Sequence, residues 1–203
     1  IFFAPTPQPT ALNGFLLIVT LFWLAVAPQQ LARKAIGIST FPGLFTLPML
    51  IAGAWVSAVA LQRLGVGYLL AVVILTVVAD VAGYFVGRKF GRVKLAPAIS
   101  PGKTREGAIG GLVAAATWAV ASTAYLGLAT GPLQMMIAAL LGAGLGALAV
   151  TGDLWESQLK RQAGMKDSSQ LLPGHGGVLD RIDAQLAVLP VATLLISLVK
   201  PLL

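Results

Sequence analysis

Apolar runs long enough to cross a bilayer recur through this chain, and they leave it few folds to choose from. A helix needs about twenty apolar residues to cover the hydrocarbon core. Six segments meet that length: 11–28, 43–62, 66–87, 107–129, 132–151 and 184–199. In lipid every backbone polar group must find a partner within the protein, so spanning segments are helices or closed barrels. Runs of this length select helices. The expectation is an all-α, polytopic integral membrane protein with about six transmembrane helices and a polar cavity at one membrane face. Composition agrees, with 57% hydrophobic residues and only 10% charged ones, against about a quarter charged in a soluble domain. No compositional break divides the chain, so 1–203 reads as a single membrane-embedded domain. Its first residue is Ile1 rather than Met, which suggests a piece of a longer protein.

The basic residues are distributed unevenly between the spans. Arg33 and Lys34 follow the first span, six more lie between the third and fourth, and Lys160, Arg161, Lys166 and Arg181 lie between the fifth and sixth. Only Arg63 and Lys200 fall on the other side, a count of twelve against two. The positive-inside rule then puts the N-terminus outside and the three basic loops in the cytoplasm. The net charge of +7 is carried between apolar spans with no soluble domain, so nucleic acid is not expected. Anionic lipid and nucleotide phosphates are the expected partners. There are no cysteines, which excludes a disulfide framework and a thiolate metal site.

The charge is concentrated in one place. Nine of the twenty-one charged side chains fall between Asp153 and Asp183. Such a concentration beside apolar segments is costly unless the groups are paired, hydrated or bound to ligands. Asp153, Glu156 and Lys160 are spaced to share one helix face, and Asp180 and Asp183 repeat the three-residue offset where the last apolar segment begins. Pro173-Gly174-His175-Gly176-Gly177 interrupts any helix between them. Two helix ends bearing carboxylates, joined by a polar loop, could hold Mg²⁺, which takes one or two protein carboxylates plus substrate phosphates. Lys160, Arg161, Lys166 and Arg181 would face those phosphates.

Other motifs carry weaker signals. Asp80 is ionisable within an apolar span; it either faces a cavity or pairs with a basic residue between helices. Tyr84, Gly87 and Arg88 follow it at helical spacing. Ser100-Pro101-Gly102-Lys103-Thr104-Arg105-Glu106-Gly107 contains Gly-Lys-Thr, but a P-loop needs glycine where Pro97 stands and a strand before it. Lys103 instead offers a point charge and Thr104 a hydroxyl at a helix start, where free amides favour phosphate; an ordinary basic loop with a helix cap is the alternative. Gly142, Gly144 and Gly146 suit close helix packing, and the tryptophans read as packing or membrane-facing residues. Residues 27–42 form either an interfacial amphipathic stretch or a solvated basic loop. His175, the only histidine, either contacts a bound phosphate or nucleotide base or braces the backbone.

The pattern Ser157-x-x-Lys160-Arg161-x4-Lys166-Asp167-x5-Pro173-x-His175-Gly176-Gly177-x-x-Asp180-Arg181-x-Asp183 closely resembles the signature of phosphatidate cytidylyltransferases. Asp80-x-x-x-Tyr84-x-x-Gly87-Arg88 and the Ser100–Gly107 segment resemble further elements of the same family. The resemblance implies a multi-pass enzyme of the bacterial cytoplasmic (inner) membrane, with its active site facing the cytoplasm. Such an enzyme makes CDP-diacylglycerol and pyrophosphate from CTP and phosphatidate. It also implies additional helices upstream, membrane lipids as neighbours, a homodimer, and Mg²⁺ accompanied by K⁺ as a second ion. Asp153 and Asp180 match the family's metal-binding aspartates; Glu156 and Asp183 would join them as ligands or orient them. Lys160, Arg161 and Lys166 would act in catalysis. Arg88, Ser100, Lys103, Thr104, His175, Gly176, Gly177, Arg181 and Asp80 would bind substrate. The rival functions are a CTP-dependent lipid kinase of the polyprenol or phytol type, and an anion transporter.

Overall fold

The computed structural model describes residues 9–33, 41–169, 171 and 176–199. It is a helical bundle: α1 (Pro9–Leu21), a π-helical turn (Phe22–Val26), α2 (Ala27–Arg33), α3 (Phe41–Leu64), α4 (Val66–Phe90), α5 (Arg105–Tyr125), α6 (Pro132–Gln162) and α7 (Leu179–Val199). A two-stranded antiparallel hairpin, β1 (Lys94–Ala96) and β2 (Ser100–Thr104), joins α4 to α5. Among the described residues, six helical segments are long and apolar enough to span a membrane, the first being Ala11–Arg33 taken as one unit. The chain is therefore the polytopic helical membrane protein that its apolar runs predict.

The boundaries differ from the sequence expectation in an informative way. The helix of the first span continues to Arg33, so residues 27–33 are neither a loop nor a separate interfacial stretch; residues 34–40 lie outside the described region. Pro28 has no N–H to donate, and the turn ahead of it widens so that the Ala27 amide donates to the Phe22 carbonyl, five residues back. α6 runs eleven residues past 151 and α7 starts at Leu179 rather than at 184. Apolar counting ends a span where charge begins, but charge does not end a helix when the carboxylates and cations have partners. At 31 residues, α6 is about 46 Å long, well beyond the roughly 30 Å of hydrocarbon. The 94–104 segment, expected as a loop, pairs Lys94 with Thr104 and Ala96 with Ser100, with an irregularity between. Pro101 and Gly102 lie in that stretch of β2. Proline cannot donate to the ladder, and such residues mark bulges.

Small residues set the helix spacing. A Cβ on Gly107 would lie 2.7 Å from the Gly83 carbonyl oxygen, and one on Gly111 2.7 Å from that of Ala79, so α4 and α5 meet backbone to backbone. On α6, a Cβ at Gly142 would come within 2.4 Å of the Ala119 Cβ, and one at Gly146 within 2.9 Å of the Ala115 Cβ. Gly144 points into open space, so two of the three glycines in this run pack and one does not. The tryptophans divide as well. Trp23 and Trp155 are buried against each other and Phe22, edge to face with centroids 5.4–5.7 Å apart. Trp118 bonds the Ala71 carbonyl at 2.8 Å, and Trp55 is exposed. The Trp155 indole also donates to Gln30 Oε1 at 2.7 Å, anchoring α2 on α6 beside the charged residues.

Overpacking of this kind costs about 1–3 kcal/mol, so Gly142→Ala should lower the unfolding midpoint in detergent. Gly144→Ala should leave it unchanged or raise it slightly, because alanine is the better helix former by roughly 1 kcal/mol.

Candidate active site

The ends of α4 and α6 and the starts of α5 and α7 converge around a cavity of about 740 Å³, roofed on one side by the hairpin. Lining it are the carboxylates of Asp80 (α4), Asp153 (α6), Asp180 and Asp183 (α7), and the cations of Arg88 (α4), Lys94 (β1), Lys103 (β2) and Arg181 (α7). Ser100 and Thr104 also reach it. Lining residues run along α4 from Thr76 to Gly91, about 22 Å of helix length. A second cavity of about 230 Å³, at the other ends of α4–α7, is lined almost wholly by apolar groups and offers no comparable chemistry.

Each carboxylate has a different set of partners. Asp153 Oδ2 lies 2.5 Å from the Lys103 ammonium, and its Oδ1 accepts from Ser157 at 3.3 Å. Asp180 is heavily engaged. Lys160 sits 2.5 Å from Oδ1, while Oδ2 accepts from Gly177 N–H at 2.7 Å, Ser168 Oγ at 2.8 Å and Ser168 N–H at 3.0 Å. Asp183 accepts its neighbour Ala184's N–H at 2.7 Å, and among the described residues neither it nor Asp80 has an ion pair. The alternative in which Asp80 pairs a basic residue between helices is therefore not what the described structure contains. Gly152 brings α6 onto α7 at this level: a Cβ there would lie 2.6 Å from the Asp183 carbonyl oxygen.

Lys160 and Glu156 stand behind this wall. Glu156 is 1% exposed, does not line the cavity, and has its Oε2 2.7 Å from the Lys160 ammonium. The contact is off the hydrogen-bonding direction, so it is an ionic rather than an aligned one. One ammonium thus bridges a buried carboxylate on its own helix and a cavity carboxylate on the next. Arg161 is turned to the hairpin, its Nε 3.3 Å from the Ile99 carbonyl and Nη1 3.5 Å from that of Met165. Lys166 is exposed on the connecting loop. Gly176 adopts φ +78°, a left-handed conformation that glycine tolerates. It precedes the Gly177 amide that holds Asp180. Gly176 and Gly177 thus support the site without lining it, and His175 lies outside the described residues.

Three contributors are absent from the residues singled out by sequence. Lys94 lines the cavity from β1, Ser168 gives Asp180 two bonds, and Glu106 accepts from the Arg92 amide at 3.0 Å and the Val93 amide at 3.3 Å. The only sequence signal for Glu106 is its place in the Ser100–Gly107 element. Ser168 has none beyond a polar loop.

Among the described residues no group of three or more acidic or histidine side chains forms a ready-made metal cage. Magnesium does not require one, since it keeps waters and substrate phosphates in its shell. Asp153 and Asp183 project carboxylates with lone pairs left over, so the donor set fits a hard divalent cation. Asp180 would contribute only a part of its coordination, and Glu156 does not face the cavity.

A bundle of spanning helices with a cavity at one end that sets carboxylates and cations side by side defines a polytopic membrane protein with a polar, charged site. The chain belongs to the cytidylyltransferase family, whose model it matches over residues 1–199. It is 41% identical over 187 residues to a phosphatidate cytidylyltransferase of Pseudomonas aeruginosa, covering 89% of this chain and 68% of that one. The phosphatidate cytidylyltransferase of Haemophilus influenzae is 48% identical over 127 residues, 62% of this chain and 44% of the relative. That of Mycobacterium tuberculosis is 32% identical over 207 residues, 93% and 60% of the two chains. The chain thus spans between about two fifths and two thirds of the curated relatives it matches.

Breaking a buried ion pair from one side costs about 3 kcal/mol. Lys160→Met should therefore destabilise the protein by about that much in detergent unfolding, and adding Glu156→Gln should recover part of the loss.

Proposed function

We infer that this protein catalyses nucleotidyl transfer from CTP to phosphatidate, giving CDP-diacylglycerol and pyrophosphate. The observation carrying this reading is that four carboxylates and four cations, drawn from α4, the hairpin, α6 and α7, line one cavity in a bundle of spanning helices. Such a cavity suits two polyanions that meet at a membrane, and the family and its named relatives supply the identity of those polyanions. The wall also contains Val77, Val81 and Tyr84, apolar surface for a lipid's glycerol and upper chains.

In this reaction a phosphate oxygen of phosphatidate attacks the α-phosphorus of CTP, the Pα–O bond to the β-phosphate breaks, and pyrophosphate departs. The nucleophile is already anionic at neutral pH, so no strong general base is needed. The obstacle is repulsion between the two phosphates, which fixed cations reduce most effectively where water is excluded. Lys103, Lys94, Arg88 and Arg181 bind and orient the phosphates. Asp153 and Asp183, with Asp180, would hold Mg²⁺, which when bound offsets charge on both reacting groups. Lys160 keeps Asp180 in place. K⁺ as a second ion, a homodimer, and placement in the bacterial cytoplasmic membrane with the cavity facing CTP are parts of the same proposal. The twelve-to-two distribution of basic residues supports that orientation.

Purified protein given CTP, phosphatidate and Mg²⁺ should release pyrophosphate and form a CDP-linked lipid in equal amounts. Label on the α-phosphate of CTP should enter the lipid. Transfer of the γ-phosphate with release of CDP would instead establish a lipid kinase. Asp153→Asn and Asp180→Asn should each lower turnover at least about 100-fold while membrane insertion persists. EDTA should abolish activity and added Mg²⁺ restore it.

A further inference from the structure

We propose that Glu106 is a positioning residue that acts through the hairpin to place Lys103 in the cavity. The inference rests on the nucleotidyl-transfer reading. A hairpin of three and five residues is too small to hold its own shape and needs external ties. At its tip, Arg161 reaches the Ile99 carbonyl. At its base the ties centre on the first turn of α5. Glu106 Oε2 accepts from Arg92 N–H at 3.0 Å and Oε1 from Val93 N–H at 3.3 Å, while the Arg105 amide donates to the Val93 carbonyl at 2.9 Å.

These bonds meet the two amides that follow the end of α4, where Gly91 N–H makes the last helical bond to Gly87. The next residue, Lys94, pairs across the hairpin with Thr104, adjacent to Lys103. Both lysines line the cavity, and Lys103 reaches Asp153. Around this point the packing is close. Thr104 caps α5 by accepting from Gly107 N–H at 3.1 Å, and a Cβ on Gly91 would lie 2.7 Å from Thr104 Cγ2. Among the described residues, no side chain other than Glu106 anchors the backbone leading into β1. Its carboxylate is committed to backbone amides and does not line the cavity, so it holds the lysine-bearing strands without touching substrate. An acid in the first turn of α5 also suits the helix dipole, and a role confined to that would not involve Lys103.

The test compares Glu106→Ala, Glu106→Gln, Lys103→Ala and the Lys103→Ala/Glu106→Ala double variant in full-length protein, using CTP, phosphatidate and Mg²⁺. Losing charge-assisted bonds to two amides should raise the KM for CTP about 10-fold in Glu106→Ala, with kcat within roughly 3-fold of wild type. Glu106→Gln, which still offers an acceptor oxygen, should restore most of the KM. On the Lys103→Ala background, Glu106→Ala should add no further loss, because coupled residues are not additive. Hydrogen exchange at Val93 and Thr104 should accelerate in Glu106→Ala and less in Glu106→Gln. Should Glu106→Ala fail to accumulate, Glu106→Asp, which keeps the charge but shortens the reach, is read by the same criteria. Additive losses, a Gln variant as impaired as Ala, or an Ala variant with wild-type KM and exchange would each overturn the proposal. Absence of CTP turnover in the wild type would instead sink the functional reading, leaving the exchange result to judge the anchor.

Discussion

The Lys160 ammonium, held between Glu156 and Asp180, is the contact on which the charged end of this bundle depends. Charge cannot stand alone beside hydrocarbon, and here one cation satisfies carboxylates from two helices at once. Glu156 is buried and turned from the cavity, so its charge is balanced within the protein. The trio carries a formal excess of one negative charge, and its cavity-facing member is Asp180. That places the trio's surplus negative charge at Asp180, beside the proposed cation position, with Ser168 and Gly177 fixing the carboxylate's orientation.

Backbone proximity turns this contact into a site. Gly152 lets α6 approach α7 so closely that a Cβ there would lie 2.6 Å from the Asp183 carbonyl oxygen, and Asp153 and Asp183 come to one cavity as a result. Gly107 and Gly111 do the same for α5 against α4, which sets where the hairpin can lie. Without a hydrophobic drive between helices in lipid, close packing of small residues supplies the association. The same glycines thus hold the bundle together and fix the separations among its charged groups.

Much of this was legible in the chain. The six apolar runs gave the spanning helices to within a few residues except where charge follows. The helical offset of Glu156 and Lys160 gave their contact, although Asp153 faces the cavity and Glu156 is turned from it, and the glycines gave two of three packing points. Less legible were Arg161, read as a phosphate ligand but engaged with the Ile99 and Met165 carbonyls, and Glu106, whose partners are main-chain amides with no side-chain signature. The hairpin is hidden in the sequence because Pro101 and Gly102 read as a loop, although an irregularity in the pairing accommodates them.

What the sequence by itself determined is what short-range physics controls: which segments are apolar enough to cross a membrane, which side chains share a helix face, and where a helix is capped. What only the tertiary structure decided is which charges meet. Asp153 and Lys103 lie fifty residues apart in the chain, and Lys160 and Asp180 twenty. No periodicity relates such positions. Their pairing follows from how closely the helices pack, and the burial of Glu156 away from the cavity follows from the same crossing.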